Sequence, residues 1–309
     1  MKKYLYVSYI SNNRDIKGIL LIKYNLYKLK SSINYGCIVT ENVDDKTITI
    51  LENNGIIIFR RNLDIKLETS ISHKSIIKNH HVFGKFFVFS LCEYDKIIYL
   101  DSDTLILNDI DHLFNIEMQH RTIYMCEDMQ TSDNYEKIII TKNKYNSGVI
   151  LLKPDNRLVN ICFKTLINLG KKWFNDNKSF HSDQYIFEIL NVDKIIHICT
   201  LNISYNLHPI LVRFVQTNKL LDKIYIIHFM LKPKPWDFLD GNVKSYIFEN
   251  TTCQKFFQLW LDLYNEMVRN TFLSQLPRET NIKSFHYGKY NHNNELEYIN
   301  DELKSLNKM

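Results

Sequence analysis

The sequence predicts an α/β fold with a mixed, mostly parallel central sheet flanked by helices. Short runs rich in β-branched and aromatic residues alternate with segments whose apolar residues recur at helical spacing. The run at 97–100 is the most distinct, and two aspartates, Asp101 and Asp103, follow it directly. No internal repeat or low-complexity linker interrupts this pattern. The 309 residues, 45% of them hydrophobic, are therefore expected to form one large domain with an appendage.

The elements follow in chain order from the spacing of the apolar residues. Strands are expected where short apolar runs are bounded by turn residues, at 4–10, 35–40, 55–59, 97–100, 122–126, 149–152 and 226–229. Helices are expected where apolar residues repeat every three or four positions, at 15 to about 29, 156–169, 183–190 and 254–272. Because the alternation ends near residue 240, we divide the chain into a main domain, residues 1–240, and a C-terminal helical extension with a polar tail, residues 241–309.

The last predicted helix carries an apolar stripe that includes Phe256, Phe257, Trp260 and Met267. A stripe of this kind is typical of a helix that packs on its own domain. A membrane surface or a partner protein is the alternative. The polar residues after Pro277 are assigned no catalytic role.

The charge of the chain argues against nucleic acid as a partner. The formal net charge is +5, and the lysines and arginines are scattered without a dense basic run. A charge of this size is compatible with an anionic small-molecule substrate.

The cysteines and the apolar runs predict a cytoplasmic location. The six cysteines are widely spaced and form no Cys-x-x-Cys pair, which suits reduced thiols better than a disulfide framework or a zinc site. The first apolar run stops at Ile10 without a small-residue cleavage site, so we expect no signal peptide. No run is long enough to span a bilayer.

The two aspartates after the strand at 97–100 predict a metal-assisted diphosphate site. In open α/β sheets, ligands bind at the carboxyl ends of the strands, where Asp101 and Asp103 are expected. Two carboxylates one residue apart can share a hard divalent cation and leave coordination positions for phosphate oxygens. An ordinary strand-end turn is the alternative interpretation, because aspartate and serine also favour turns.

Three further motifs follow the aspartates in order. Asn146-Ser147-Gly148 stands directly before the apolar run at 149–152, and Ser182-Asp183-Gln184 opens a helical pattern. The last strand ends in His228 and is followed by Lys232-Pro233-Lys234-Pro235-Trp236. With the first strand, its polar loop and Lys17-Gly18, these motifs resemble the glycogenin-like glycosyltransferases of family 8 over roughly residues 4–240.

This resemblance implies a glycosyltransferase A fold, which is Rossmann-like. It also implies an enzyme that uses a nucleotide-diphosphate sugar, usually UDP-glucose or UDP-galactose, with Mn²⁺ as the metal and Mg²⁺ as its alternative. The family retains the configuration of the anomeric carbon. The resemblance does not indicate the acceptor. Members of the family often form dimers, so a homodimer is possible under this resemblance.

The metal ligands implied by the resemblance are Asp101, Asp103 and His228. Imidazole and carboxylate both suit Mn²⁺. Without the resemblance, His228 also fits a histidine whose hydrogen bonds are satisfied at a strand end. Lys234 resembles the lysine that meets the diphosphate, where a positive charge offsets negative charge on the departing UDP. An ordinary solvated lysine is its alternative.

The remaining site residues also come from the resemblance. Asp183 and Gln184 resemble the catalytic pair beside the reacting sugar, and Lys85 resembles a lysine that reaches the donor from a helix before the metal-binding strand. Helix capping is the alternative role for Asp183. The residues expected to contact the donor are Tyr9, Ser11, Asn12, Lys85, Ser102, Asn146, Ser147, Gly148 and Lys234. A turn before a strand is the alternative for Asn146-Ser147-Gly148.

Two positions depart from the family pattern. Asp15 stands where the family usually stacks an aromatic residue on uracil, and Arg213 and Phe214 stand near the position of glycogenin's self-glucosylated tyrosine. We therefore expect no priming tyrosine between Leu207 and Asn218; mass spectrometry that finds a sugar on a tyrosine there would contradict this expectation.

Two other functional classes stay open. One is a non-catalytic nucleotide-sugar-binding scaffold derived from such an enzyme, which the departures at Asp15 and Arg213 permit. The other is a nucleotidyltransferase or nucleic-acid-binding protein, for which a nucleoside triphosphate preference or a steeply salt-dependent oligonucleotide affinity would be evidence.

Overall fold

We describe a computed structural model of the chain. The structure describes residues 2–63, 80–131, 138–176, 183–212, 223–240 and 251–270. Ser182, Arg213, Phe214 and the polar tail after Pro277 lie outside these ranges, so the expectations for them stay untested.

Seven strands form the central sheet. They are β1 (Tyr4–Ile10), β2 (Asn34–Val39), β3 (Ile57–Arg60), β4 (Lys96–Leu100), β6 (Thr122–Thr131), β7 (Ile138–Leu152) and β8 (His197–Leu201). Their order is β3-β2-β1-β4-β7-β6-β8. The pairs β1-β2, β1-β4, β2-β3 and β6-β8 are parallel, whereas β7 is antiparallel to both neighbours. The predicted mixed, mostly parallel sheet is therefore confirmed.

A second, two-stranded sheet lies beside the first. It pairs β5 (Thr104–Ile106) with β9 (Ile226–His228) in antiparallel register, with Thr104 opposite His228. Because β5 starts only four residues after β4 ends, Asp101 and Asp103 occupy the turn that links the two sheets. This pairing joins segments more than 120 residues apart in sequence.

The helices cover both faces of the central sheet. They are α1 (Ile16–Lys28), α2 (Asp45–Asn53), α3 (Asn156–Asp176), α4 (Asp183–Val192) and α5 (Thr251–Arg269), with a 3₁₀ segment at His80–Ser90. One core cluster contains the buried residues of α1, α2 and α5, and a second contains those of the 3₁₀ segment, α3 and α4. Burial on both faces explains why β1 and β4 are almost entirely apolar.

The last helix packs on the domain, as its apolar stripe predicts. Trp260 is fully buried and lies against Trp236, with ring centroids 6.0 Å apart. Phe257 meets Phe229 edge to face at 4.8 Å. None of the helices in the described part of the chain combines the length and apolar character needed to cross a bilayer.

Several elements differ from the sequence expectations. α2, β5 and β8 were not predicted, although Asp44 caps α2 by accepting a hydrogen bond from the Thr47 amide at 2.7 Å. β5 and β8 are short, and their apolar residues do not stand out from the flanking sequence. Lys85 lies on a helix before β4, as expected, and this helix is of the 3₁₀ type, whereas Asn146-Ser147-Gly148 lies inside β7 instead of before a strand. The pairing with β4 covers only Val149 to Leu152, whereas the pairing with β6 places Asn146 opposite Cys126 and so continues the strand past these polar residues.

Candidate active site

A cavity of about 700 Å³ opens at the carboxyl ends of β1 and β4. Its wall includes most of the residues predicted for the site, which are Tyr9, Ser11, Asn12, Lys85, Asp101, Ser102, Asp103, Asn146, Ser147, Asp183, Gln184, His228 and Lys234. The location agrees with the rule that open α/β sheets bind ligands beyond their strand ends. Gly148 lies behind this wall, against His228.

Asp101, Asp103 and His228 form one cluster. Each offers a ligand atom within 4.8 Å of the others. Nε2 of His228 lies 3.1 Å from Oδ1 of Asp103 and 3.8 Å from Oδ2 of Asp101. Register explains this proximity, because Thr104 pairs with His228 and so brings the end of β9 to the turn after β4.

The donor set of this cluster fits a divalent cation. Two carboxylates and one imidazole are the ligands that Mn²⁺ and similar ions accept, and three protein ligands leave further positions for substrate oxygens. Asp103 and His228 are both buried, so their mutual contact is little screened by water. A bound cation would neutralise carboxylates that now face protein cations.

Lys234 contacts the same cluster. Its ammonium donates to Oδ2 of Asp103 and to the carbonyl oxygens of Phe229 and Met230, at 2.7 and 3.0 Å for the two carbonyls. Burial raises the pKa of Asp103, but the neighbouring His228 and Lys234 outweigh it and hold that pKa well below its usual range. Asp103 is therefore ionised at neutral pH.

A second lysine links Asp101 to Asp183. Nζ of Lys85 lies 3.1 Å from Oδ1 of Asp101 and 2.8 Å from Oδ2 of Asp183. Ser147 donates its hydroxyl to the same oxygen of Asp183, and Tyr99 donates to Oδ1 of Asp101 at 2.7 Å. Burial lowers the pKa of Lys85, but the two carboxylates outweigh it and raise that pKa above its ordinary value. Lys85 is thus a buried, positively charged residue that forms ion pairs with both Asp101 and Asp183.

Close packing leaves no room for larger residues at two glycines. A Cβ on Gly148 would lie 2.1 Å from Cε1 of His228, and a Cβ on Gly18 would lie 1.9 Å from the carbonyl oxygen of Ser102. Helix α1 therefore approaches the backbone of the aspartate turn directly. The imidazole of His228 is pressed against β7 in the same way.

Asn146, in the triplet predicted to bind the sugar donor, makes hydrogen bonds within the protein. Oδ1 of Asn146 accepts from the Gly148 amide at 2.9 Å and from Nδ2 of Asn206 at 2.7 Å. Oδ1 of Asn206 in turn faces Nδ1 of His228 at 2.8 Å. Asn206 is a site residue that was not predicted, because the segment Tyr205-Asn206-Leu207 was matched only to the stretch that leads to glycogenin's tyrosine and a single asparagine carries no spacing signal.

Asp15 lines the cavity where an aromatic residue was expected. Its carboxylate accepts from Nδ2 of Asn12 at 2.8 Å. Burial raises the pKa of Asp15 to about 6. Charged residues that line the cavity but were not among the predicted site residues are Arg14, Asp128, Lys232 and Asp237.

Comparisons with known proteins show the family of the chain. The family model described as glycosyl transferase family 8 matches residues 6–240. An uncharacterized protein of Acanthamoeba polyphaga mimivirus is 26% identical over 279 residues, which cover 86% of this chain and 95% of that protein. Glycogenin of Komagataella phaffii is 26% identical over 204 residues, 54% of this chain. The matched part is only 42% of that glycogenin, so the chain spans less than half of this relative.

A solved structure shares the fold. The galactosyltransferase LgtC, crystallised with donor and acceptor sugar analogues, superimposes with a TM-score of 0.60. The alignment covers 89% of this chain and 98% of LgtC at 16% sequence identity. At this identity, the likeness concerns the fold alone.

Proposed function

The chain belongs to glycosyl transferase family 8, has the glycosyltransferase A fold and transfers a sugar from a nucleotide sugar, and on that premise we propose its donor, metal and mechanism. We propose that it moves a hexose, glucose or galactose, from a UDP-sugar to an acceptor with retention of configuration. The observation that carries this proposal is the cluster of Asp101, Asp103 and His228, whose ligand atoms lie within 4.8 Å of one another.

Asp101, Asp103 and His228 would hold Mn²⁺, with Mg²⁺ as the alternative. A bound cation of this kind supplies positive charge that offsets the negative charge on a departing diphosphate. The three side chains project from the turn after β4 and the end of β9, so the fold itself holds them together.

Lys234 is the protein's own cation for the diphosphate. Its ammonium lies against Asp103 and two backbone carbonyls, at the wall of the cavity. A compact ammonium at this place stabilises charge that gathers on the leaving group in the transition state. The UDP moiety would also meet the loop after β1, formed by Tyr9, Ser11 and Asn12, and the Ser102 backbone.

Asp183 is the carboxylate proposed to act at the reacting sugar, beside Gln184. Retention requires the acceptor hydroxyl to arrive on the face from which UDP leaves, or a short-lived covalent intermediate. In either route, a carboxylate beside the anomeric carbon stabilises the positive charge that develops there. Lys85 and Ser147 fix Oδ2 of Asp183 and so orient the group before substrate binds.

Asn146, Ser147 and Gly148 are proposed to meet the donor sugar and ribose from β7. Their position inside a strand gives them less freedom than a loop would. The wide spacing of the six cysteines, without a Cys-x-x-Cys pair, supports a cytoplasmic location, which is part of this proposal, as is a homodimer.

The test is a screen of UDP release across a panel of nucleotide sugars, with and without Mn²⁺. We expect release from UDP-glucose or UDP-galactose that requires the metal. Release from another nucleotide sugar, or release without metal, would contradict the donor or the metal assignment. A rise in melting temperature with UDP-sugar and Mn²⁺ but no release of UDP would instead identify a binding scaffold.

A further inference from the structure

We propose that Asn206 is a positioning residue that holds the Nδ1 proton of His228 and thereby presents Nε2 as the metal ligand. The proposal rests on the metal site of the proposed function. It concerns a residue that touches neither cation nor substrate and acts through the imidazole.

The orientation of each side chain follows from one backbone amide. The Gly148 N–H can only donate, so the atom of Asn146 that faces it at 2.9 Å is the carbonyl oxygen. The group of Asn206 that faces that same oxygen at 2.7 Å must then be its NH₂. The other end of Asn206, 2.8 Å from Nδ1 of His228, is therefore its oxygen, and an oxygen there needs a donor. Nδ1 must carry the proton.

The opposite nitrogen of the ring faces the acidic pair. Nε2 lies 3.1 Å from Asp103 and 3.8 Å from Asp101, and a proton shared between Nε2 and Asp103 must leave to solvent before this nitrogen binds a cation. A metal-binding histidine typically donates its other ring N–H to an oxygen, which fixes both tautomer and ring orientation. Asn206 supplies that oxygen here.

Burial makes this arrangement rigid. Asn206 is 2% exposed, His228 4% and Asn146 5%, so water cannot replace their hydrogen bonds. Backbone pairing also holds the segment of Asn206 beside β9, since the Leu207 amide donates to the Ile226 carbonyl at 3.0 Å and the His228 amide to the Leu207 carbonyl at 2.9 Å. Gly148 packs directly against the imidazole ring of His228.

Two substitutions separate positioning from mere packing. Asn206→Leu removes the acceptor for Nδ1 and the donor to Asn146 while keeping a similar volume. Asn206→Asp keeps an acceptor for Nδ1 but loses the donor. Asn202→Ala is the matched control, because Asn202 and Asn206 flank the 3₁₀ turn Ile203–Tyr205, and Asn202 caps it by accepting from the Ser204 amide at 2.9 Å.

The measurement is Mn²⁺ affinity of the full chain, from the electron paramagnetic resonance signal of free Mn²⁺, with circular dichroism as a check on folding. We expect Asn206→Leu to weaken Mn²⁺ binding by about 10- to 100-fold, and Asn206→Asp and Asn202→Ala to stay within about threefold of the parent chain. If Asn206→Leu does not fold, the comparison of Asn206→Asp with Asn202→Ala carries the test.

The outcomes distinguish this inference from the metal site itself. Equal loss of affinity in Asn206→Asp and Asn206→Leu, or parent-like affinity in Asn206→Leu, would overturn the role of Asn206 and leave the metal site standing. Parent chain that binds no Mn²⁺, or binds it as well after His228→Ala, would overturn the metal site and the inference together.

Discussion

The two aspartates of the turn after β4 are held in different ways, although one residue separates them. The side of Asp101 consists of groups on or against the central sheet, namely Lys85, Tyr99, Ser147 and Asp183. The side of Asp103 depends on β9 and the segment that follows it, through His228 and Lys234. Lys85 has a side chain only 7% exposed, whereas that of Lys234 is 22% exposed.

From this difference we predict that the two sides of the site contribute differently to stability and to activity. On the Asp101 side, a buried cation neutralises two carboxylates, so its removal leaves charges without a partner in a dry environment. On the Asp103 side, the cation is partly hydrated and lies on an irregular segment, so it can move toward a ligand. We therefore expect the first side to fix the geometry and the second to respond to substrate.

The largest effect on turnover is expected from the substitution of Asp103, which contacts Lys234 and belongs to the proposed metal site. Asp103→Ala should lower metal-dependent turnover by about 10³-fold or more while the fold stays largely intact, because Asp103 lies in a turn and not in the apolar core. UDP release measures the loss of turnover, and circular dichroism checks that the fold is intact. Asp109→Ala, an exposed aspartate outside the cavity, is the control. Undiminished UDP-sugar hydrolysis by Asp103→Ala would refute the metal assignment.

Removal of the buried cation should damage both stability and activity. Lys85→Met leaves Asp101 and Asp183 facing each other without their shared cation, so we expect the free energy of unfolding to fall by about 3–5 kcal/mol. Turnover should fall by about 10²-fold. Chemical denaturation measures the first effect. A Lys85→Met chain as stable as the parent would show that the Asp101 side is not the rigid one.

The matching substitution on the other side should separate the two effects. Lys234→Met should lower turnover by about 10²-fold, yet change the free energy of unfolding by about 1 kcal/mol or less, because the pair is partly exposed. Lys46→Met, on the exposed face of α2, is the control for loss of one positive charge. Equal destabilisation by Lys234→Met and Lys85→Met would erase the difference between the two sides.

The smallest effect is expected at Asp15, an additional acid near the Asp103 side. Burial raises the pKa of Asp15 from an ordinary value near 3.8 to about 6. The folded state therefore binds this proton more tightly than the unfolded state, and ionisation of Asp15 costs stability as pH rises through this window. Asp15→Asn should raise Tm by a few degrees above pH 6 and leave it unchanged below pH 4. A Tm gain independent of pH would contradict this assignment.

Local sequence patterns predicted most of the scaffold. The run before Asp101 is a buried strand, α4 begins at Asp183 as expected, and the apolar stripe with Trp260 packs on the core. Such features depend on neighbouring residues alone, since an apolar run must be buried wherever it lies. α2 also has a local signal, the capping by Asp44, which the apolar pattern alone did not convey.

Features that depend on strand pairing were not predictable in the same way. The extent of β7 through Asn146, Ser147 and Gly148 follows from its antiparallel pairing with β6, which continues beyond the last residue paired with β4. Likewise, Asn206 reaches His228 only because its segment runs beside β9. These contacts depend on the register between distant segments. A single polar residue forms no periodic pattern from which that register could be predicted.

By itself, the sequence determined the strand that ends in Asp101 and Asp103, the family resemblance and the identity of the candidate metal ligands, because those depend on composition and order along the chain. Only the tertiary structure decided that His228 meets both acids, that Lys85 joins Asp101 to Asp183, and that Asn206 lies 2.8 Å from Nδ1 of the imidazole. The physical reason is that distances of a few ångströms between residues more than 100 positions apart are set by sheet register and core packing, which no local segment specifies.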